Sequence, residues 1–122
     1  MKFFIQLAVF LIASLSIMGQ PLPGTTWNGT LVSNQGEKVA DLKLTFENKT
    51  VGTVTTLTGT GSIDGGGAVE LTRLSATATS ISFSLKMGTA TADFNGDRRG
   101  GMMLRATGVP KFEKASGKFT KQ

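Results

Sequence analysis

Apolar and polar residues alternate along most of the chain after residue 24, and this period of two is typical of half-buried β-strands. The clearest runs are 42–46 and 81–87, where every second residue is apolar and those between are polar or charged. No window of helical length in this part of the chain carries an apolar stripe with a 3.6-residue period. The alternation predicts eight strands, near residues 25–33, 39–47, 50–60, 67–75, 79–87, 89–95, 100–107 and 114–121.

Turn-forming residues lie between these runs and predict short connections. Asn48-Lys49 predicts a tight hairpin that pairs Phe46 with Val51. Asn95-Gly96 predicts a second hairpin before the seventh strand, because Asn-Gly favours two-residue turns. Residues 64–67 read Asp-Gly-Gly-Gly, a sequence typical of a turn because glycine adopts positive φ without steric cost.

Two of the predicted strands have an irregular alternation. Val54 falls on the face opposite its apolar neighbours, so we expect a bulge at Gly52 that shifts the register by one residue. In 100–107, Met102 and Leu104 share the predicted inner face, and we expect Met103 to be exposed on the outside.

Short strands joined by turns at this spacing are typical of an all-β barrel or sandwich. Eight consecutive antiparallel strands are enough for a meander to close on itself and remove its edges. The sequence therefore predicts an eight-stranded antiparallel up-and-down barrel, with a β-sandwich as the alternative.

The first 19 of the 122 residues have the pattern of a signal peptide. Met1-Lys2 is a short positive start, residues 3–17 are almost entirely apolar, and Pro21 follows soon after. The apolar run is shorter than the roughly 20 residues of a membrane span. We predict a signal peptide at 1–19, a single barrel domain at 20–122, and a secreted or periplasmic protein with no transmembrane span after cleavage. An uncleaved anchor is the alternative.

Three short motifs resemble those of small bacterial lipocalin-like proteins, which are calycin-type barrels. Gly24-Thr-Thr-Trp-Asn-Gly29 at the first strand is similar to the calycin pattern Gly-x-Trp-x-Gly, with one extra residue between the first Gly and the Trp. Phe94-Asn-Gly-Asp97 followed by Gly100-Gly-Met102 is similar to the Gly-rich hairpins of the small bacterial proteins, and Gly117-Lys-Phe119 suits a last barrel strand. The resemblance implies an eight-stranded barrel whose open end holds a small apolar ligand and whose closed end is plugged by Trp27. The chain departs from the avidin branch, whose biotin sites use several tryptophans and a tyrosine, because it has one Trp and no Tyr.

The chain contains no histidine and no cysteine, so the usual general base and the usual soft metal ligands are missing. Its acidic residues after position 19 lie in predicted turns or on the solvent side of predicted strands. We therefore expect no enzymatic activity, no catalytic residue, no bound metal and no cofactor.

Two sets of residues are candidates for binding. The first set would line the barrel interior and either contact a small apolar ligand or fill the core: Leu42, Leu44, Phe46, Ile81, Phe83, Leu85, Phe94, Met102 and Leu104. The second set belongs to the basic last quarter of the chain, where residues 96–122 carry seven basic side chains and two acidic ones. It would form a surface for an anionic partner: Arg98, Arg99, Arg105, Lys111 and Lys114.

The leading functional hypothesis is a non-enzymatic exported protein whose barrel holds a small apolar or amphiphilic molecule. The alternative is a structural or interaction protein of the envelope or extracellular space that uses its outer surface and basic C-terminal strands, a class that includes inhibitors of secreted enzymes. An anionic envelope or extracellular polymer would suit the basic strands. Nucleic acid is disfavoured as a partner, because few aromatic residues accompany the basic ones. The sequence does not indicate an oligomeric state.

Overall fold

The computed structural model describes residues 21–122, so the predicted signal peptide lies outside the described residues. This part of the chain is almost entirely strand, with one 3₁₀ turn at Pro110–Phe112. The strands are β1 (Thr25–Val32), β2 (Lys38–Val51), β3 (Val54–Ile63), β4 (Val69–Glu70), β5 (Thr72–Ala76), β6 (Ser80–Met87), β7 (Ala90–Asp97), β8 (Met102–Thr107) and β9 (Ser116–Lys121).

The strands form one antiparallel sheet that closes almost completely into a barrel. Its order is β4-β3-β2-β1-β9-β8-β7-β6-β5, so the two edges are β4 and β5, which follow each other along the chain. Leu71 alone separates these two short strands, and its N–H donates to the Gly59 carbonyl at 2.8 Å. The predicted all-β up-and-down barrel is confirmed, and the sandwich is not formed.

The strand count is nine rather than eight because the predicted fourth strand is divided at Leu71. Its first part, β4, pairs with β3, and its second part, β5, pairs with β6. The β5–β6 register shifts between Thr72 and Ser75, and Arg73 between them has a positive φ of 53°. The change of neighbour falls at Leu71, between Glu70, which pairs with β3, and Thr72, which pairs with β6, and the kink at Arg73 then bends β5 along β6.

Two predicted turns are misplaced. β2 continues through Asn48 and Lys49 to Val51, and the turn lies at 52–53, where Gly52 has a φ of 63°. A two-residue hairpin needs a positive φ at its first turn position, which glycine supplies. The predicted bulge at Gly52 is therefore a hairpin turn, and Phe46 pairs with Gly59 instead of Val51.

The second misplaced turn is the one predicted at Asn95-Gly96. Both residues lie within β7, and the chain turns later, where Gly100 and Gly101 have positive φ values of 73° and 141°. Gly96 is needed for space, since a Cβ built on it would lie 2.5 Å from Leu104 Cδ2.

Large apolar side chains from all the long strands fill the barrel interior. Phe46, Leu44 and Leu104 are fully buried, and the rings of Phe83 and Phe94 stack with centroids 5.0 Å apart. Trp27 is also buried, and its Nε1 donates to Thr25 Oγ1 at 2.9 Å.

Glycines on the inward side of the strands make room for these side chains. Gly29 lies beneath the ring of Phe119, so that a Cβ built on Gly29 would lie 2.6 Å from the ring carbons. Gly59 takes up the space beside Leu71 and Phe46 in the same way. The interior is therefore packed by pairing the smallest residue with the largest across neighbouring strands.

Candidate anion-binding groove

All nine residues predicted to line the interior are buried in the apolar core. Three grooves of the described part of the chain lie outside this interior, and each is lined in part by polar side chains of the outer surface. The buried apolar side chains of the interior belong to one core cluster. Binding of a small apolar ligand among these residues stays a prediction: Leu42, Leu44, Phe46, Ile81, Phe83, Leu85, Phe94, Met102 and Leu104.

The five predicted basic surface residues separate into three places. Arg99 and Arg105 lie on the β7–β8 hairpin and are exposed. Lys111 and Lys114 are also exposed, but they lie in the loop from β8 to β9, at the opposite end of β8 from the β7–β8 turn. Arg98 is buried, with 7% of its surface exposed.

Arg98 does not belong to the basic surface, which corrects that part of the sequence prediction. Its backbone N–H donates to the Thr79 carbonyl at 2.9 Å, and its guanidinium donates to the Thr77 carbonyl. Burial lowers the pKa of the Arg98 guanidinium from its usual range. Arg98 continues the alternation of β7 past Gly96, and its side chain therefore points inward. There its guanidinium binds the carbonyl of Thr77 and connects the β5–β6 turn to the end of β7.

The largest of the described grooves lies on the outer face of β7, β8 and β9. It has a volume of about 610 Å³. The strand register places its side chains next to one another, because Asn95 pairs with Arg105 and Met103 pairs with Lys118. Its lining is Asn95, Gly96, Asp97, Arg99, Gly100, Gly101, Met102, Met103, Arg105 and Lys118.

One carboxylate in the groove is already engaged. Asp97 Oδ1 accepts the Arg99 backbone N–H at 2.8 Å and the Arg99 Nε at 3.2 Å. These contacts, the backbone one first, lower the pKa of the Asp97 carboxyl, so Asp97 stays ionised and offsets the charge of Arg99.

Arg105 and Lys118 are the cations that remain available. Within residues 21–122 the ion pairs are Lys38 with Asp41 and Arg99 with Asp97, so neither Arg105 nor Lys118 is in one. An Arg guanidinium offers a fork of donors that matches a carboxylate, sulfate or phosphate, and a Lys ammonium adds a mobile point charge.

Met103 adds an apolar side chain next to both cations, two residues from Arg105 on β8 and across from Lys118 on β9. It is directly across from Lys118 and 46% exposed, which confirms the prediction that it faces outward. A flexible thioether suits irregular or varied partners. Lys118 was absent from the predicted basic surface. It alternates with the buried Phe119 and lies across from Met103, so pairing the last two predicted strands would have placed it on the same outer face.

The second pair of predicted basic residues has a more mixed setting. Lys111 Nζ lies 5.9 Å from the centre of the buried Phe112 ring. The adjacent Glu113 carboxylate accepts the Gly108 N–H at 3.3 Å, and Lys114 has a φ of 61°. The Glu113 charge reduces the positive potential of this loop, so the groove is the better anion site.

No group of three potential metal ligands occurs among residues 21–122. Ser84, a buried polar residue, donates to Asp93 Oδ1 at 2.6 Å across β6 and β7. This bond satisfies a buried hydroxyl and holds two neighbouring strands.

Within the described residues, no helix has both the length and the apolar character that crossing a membrane requires. No family model, curated protein or solved structure matches this chain.

Proposed function

We propose that this chain is an exported, non-enzymatic binding protein that holds an anionic polymer in the outer groove of β7, β8 and β9. The observation that carries the proposal is that two exposed cations outside the ion pairs of residues 21–122, Arg105 and Lys118, line one groove and both neighbour the exposed Met103, Arg105 two residues along β8 and Lys118 directly across on β9. Two cations whose backbones lie on paired strands recognise acidic groups without the entropic cost of ordering a loop, although their side chains remain flexible.

The polymer class follows from the groove chemistry. Arg105 would hold a carboxylate or sulfate with two N–H donors, and Lys118 would contact the next acidic group. The exposed Met103 would pack against the carbon skeleton that joins them. An acidic polysaccharide combines these features, and the seven basic against two acidic side chains of residues 96–122 would raise its local concentration.

The test measures binding of dextran sulfate and of neutral dextran by isothermal titration calorimetry. The informative variant is Arg105→Glu/Lys118→Glu. Its matched control is Lys43→Glu/Lys86→Glu, which changes two exposed lysines on β2 and β6 and the net charge by the same amount. Each lost charge-assisted contact should weaken binding by about tenfold or more.

We expect dextran sulfate to bind, neutral dextran not to bind, and only the groove variant to lose binding. Equal losses in the two variants would mean attraction by net charge alone and would reject a groove site. A separate variant, Lys111→Glu in the otherwise unaltered chain, tests the β8–β9 loop. Loss of dextran sulfate binding in that variant but not in Arg105→Glu/Lys118→Glu would place the site in the loop.

The barrel interior is the second candidate because it is apolar on all sides, with Phe46, Phe94 and Leu104 among its buried residues. A small apolar ligand would have to displace packed side chains to enter. Native mass spectrometry and thermal shift with a series of fatty acids test this proposal. A bound fatty acid together with a raised Tm would support carriage, and no shift across the series would reject it.

A further inference from the structure

The β2–β3 hairpin extends past the closed part of the barrel. Residues 47–51 of β2 and 54–56 of β3 are exposed on both faces of the ribbon. Val51 and Val54 pair directly beside the turn and are 69% and 64% exposed. Two large apolar side chains at this exposure are unusual for a surface with no partner, particularly as they lie side by side.

The outer edge of this hairpin offers backbone groups for pairing. The Gly59 carbonyl points away from β2, because it accepts the Leu71 N–H. Alternation along a strand then directs the N–H and C=O groups of Leu57 and Thr55 to the same side. The pairing of β3 with β4 covers Thr60 and Gly61, and no strand of residues 21–122 pairs with 54–58 on that side.

Nothing in the composition of this edge protects it. The ten residues of β3 include no charge and no proline. Sheet proteins commonly protect such edges with lysine, proline or a bulge, since an unprotected edge pairs with another strand. The edge is also self-complementary, because Thr55 and Leu57 each offer one donor and one acceptor.

We propose that the β3 edge pairs antiparallel with the same edge of a second copy of this chain, around a two-fold axis at Thr56. Thr55 of one copy lies opposite Leu57 of the other, which makes four main-chain hydrogen bonds by the antiparallel pattern. Val54 then lies beside Thr58 of the second copy and loses part of its exposure. The uncharged strand places no like charges directly across the axis.

This assembly is independent of the anion groove, because it uses β3 and leaves the outer face of β7, β8 and β9 free. A second copy fits better than an unrelated strand, since the geometry satisfies the same groups on both sides. It would give the dimer two identical grooves, which strengthens binding to a polymer by multivalency.

The first test is site-directed disulfide formation in the protein purified from cells that express the full chain. The chain has no cysteine, so Thr56→Cys introduces a single thiol. At the proposed axis the two Thr56 Cα atoms are about 4.5 Å apart, within the range that a disulfide spans. Thr60→Cys is the matched control, since Thr60 is on the same strand and exposed but faces Glu70 of β4.

We expect Thr56→Cys to form a covalent dimer under mild oxidation at least about tenfold faster than Thr60→Cys, because pairing raises the local thiol concentration. Equal rates would overturn the proposal. The second test is analytical ultracentrifugation of the unaltered chain and of Thr56→Lys. A dimer that Thr56→Lys dissociates supports the edge pairing. A monomer at every concentration, or a dimer that Thr56→Lys leaves intact, overturns it.

Discussion

Replacing Gly29 with alanine tests whether the barrel interior is closely packed. A Cβ at this position would lie 2.6 Å from two carbons of the Phe119 ring and 2.7 Å from a third. Carbon atoms in contact are about 3.5–4.0 Å apart, so the ring or the strand must move by about 1 Å. Phe119 is fully buried and directly opposite Gly29 on β9, which leaves the ring little freedom to move.

The expected cost follows from these contacts. Extra methyl groups in a packed core cost about 1–3 kcal/mol. Alanine also reduces the entropy of the unfolded chain relative to glycine, which returns about 0.4–1 kcal/mol. We expect Gly29→Ala to lower the free energy of unfolding by about 1–2 kcal/mol, and the Tm by about 5–15 °C for a domain of this size.

The assay is urea unfolding followed by Trp27 fluorescence, with Gly67→Ala as the control. A Cβ at Gly67 meets nothing within 4 Å, so its alanine variant should show only the gain of about 0.4–1 kcal/mol from the unfolded chain. Gly29→Ala combined with Phe119→Leu should recover part of the loss, because the smaller side chain leaves room for the methyl group. If Gly29→Ala unfolds at the same urea concentration as Gly67→Ala, the interior has free space and the packing argument fails.

Three further results are expected. Lys114→Gly should raise the Tm slightly, because the φ of 61° costs a non-glycine residue about 1–2 kcal/mol, more than the roughly 0.4–1 kcal/mol that glycine loses through the unfolded chain; differential scanning calorimetry measures it. Ser84→Ala should lower the free energy of unfolding by about 1–2 kcal/mol in urea titration, since the hydroxyl bonded to Asp93 is buried. The pKa of Asp97 is lower in the folded protein than in the unfolded chain, so its ionised form adds stability above the unfolded pKa, and this stability is lost as the pH falls through the folded pKa. Asp97→Asn should therefore reduce the fall in Tm at acid pH, and the same Tm–pH curve for both proteins would contradict this.

The alternation of apolar residues predicted which side chains face inward, because that information is local. A strand directs its side chains to opposite faces in turn, so the run 42–46 identified Leu42, Leu44 and Phe46 as core residues without any knowledge of the neighbours. The same rule, continued past the end of the predicted sixth strand, would have placed Arg98 inside.

The turn positions were predicted less well because glycine has two uses in this barrel. Gly52 provides a positive φ for a turn, whereas Gly96 provides space beside Leu104. A turn glycine and a space-making glycine cannot be told apart in the sequence, because the difference depends on which residue lies opposite in the folded sheet. The basic groove depends on the same non-local information, because only the pairing of Lys118 with Met103 across β8 and β9 shows that Lys118 lies on the same face as Arg105.

The joint at Leu71 gives the barrel a preferred place to open. Its N–H bond to Gly59 and its buried side chain beside Gly59 and Gly61 connect the two sheet edges, whereas the other strands are joined by longer ladders. Local opening in proteins begins where few contacts must break. Amide hydrogens at this joint should therefore exchange with solvent sooner than those of β1 and β9, and a barrel opened at the joint would become a sheet without its paired β-strands having to separate.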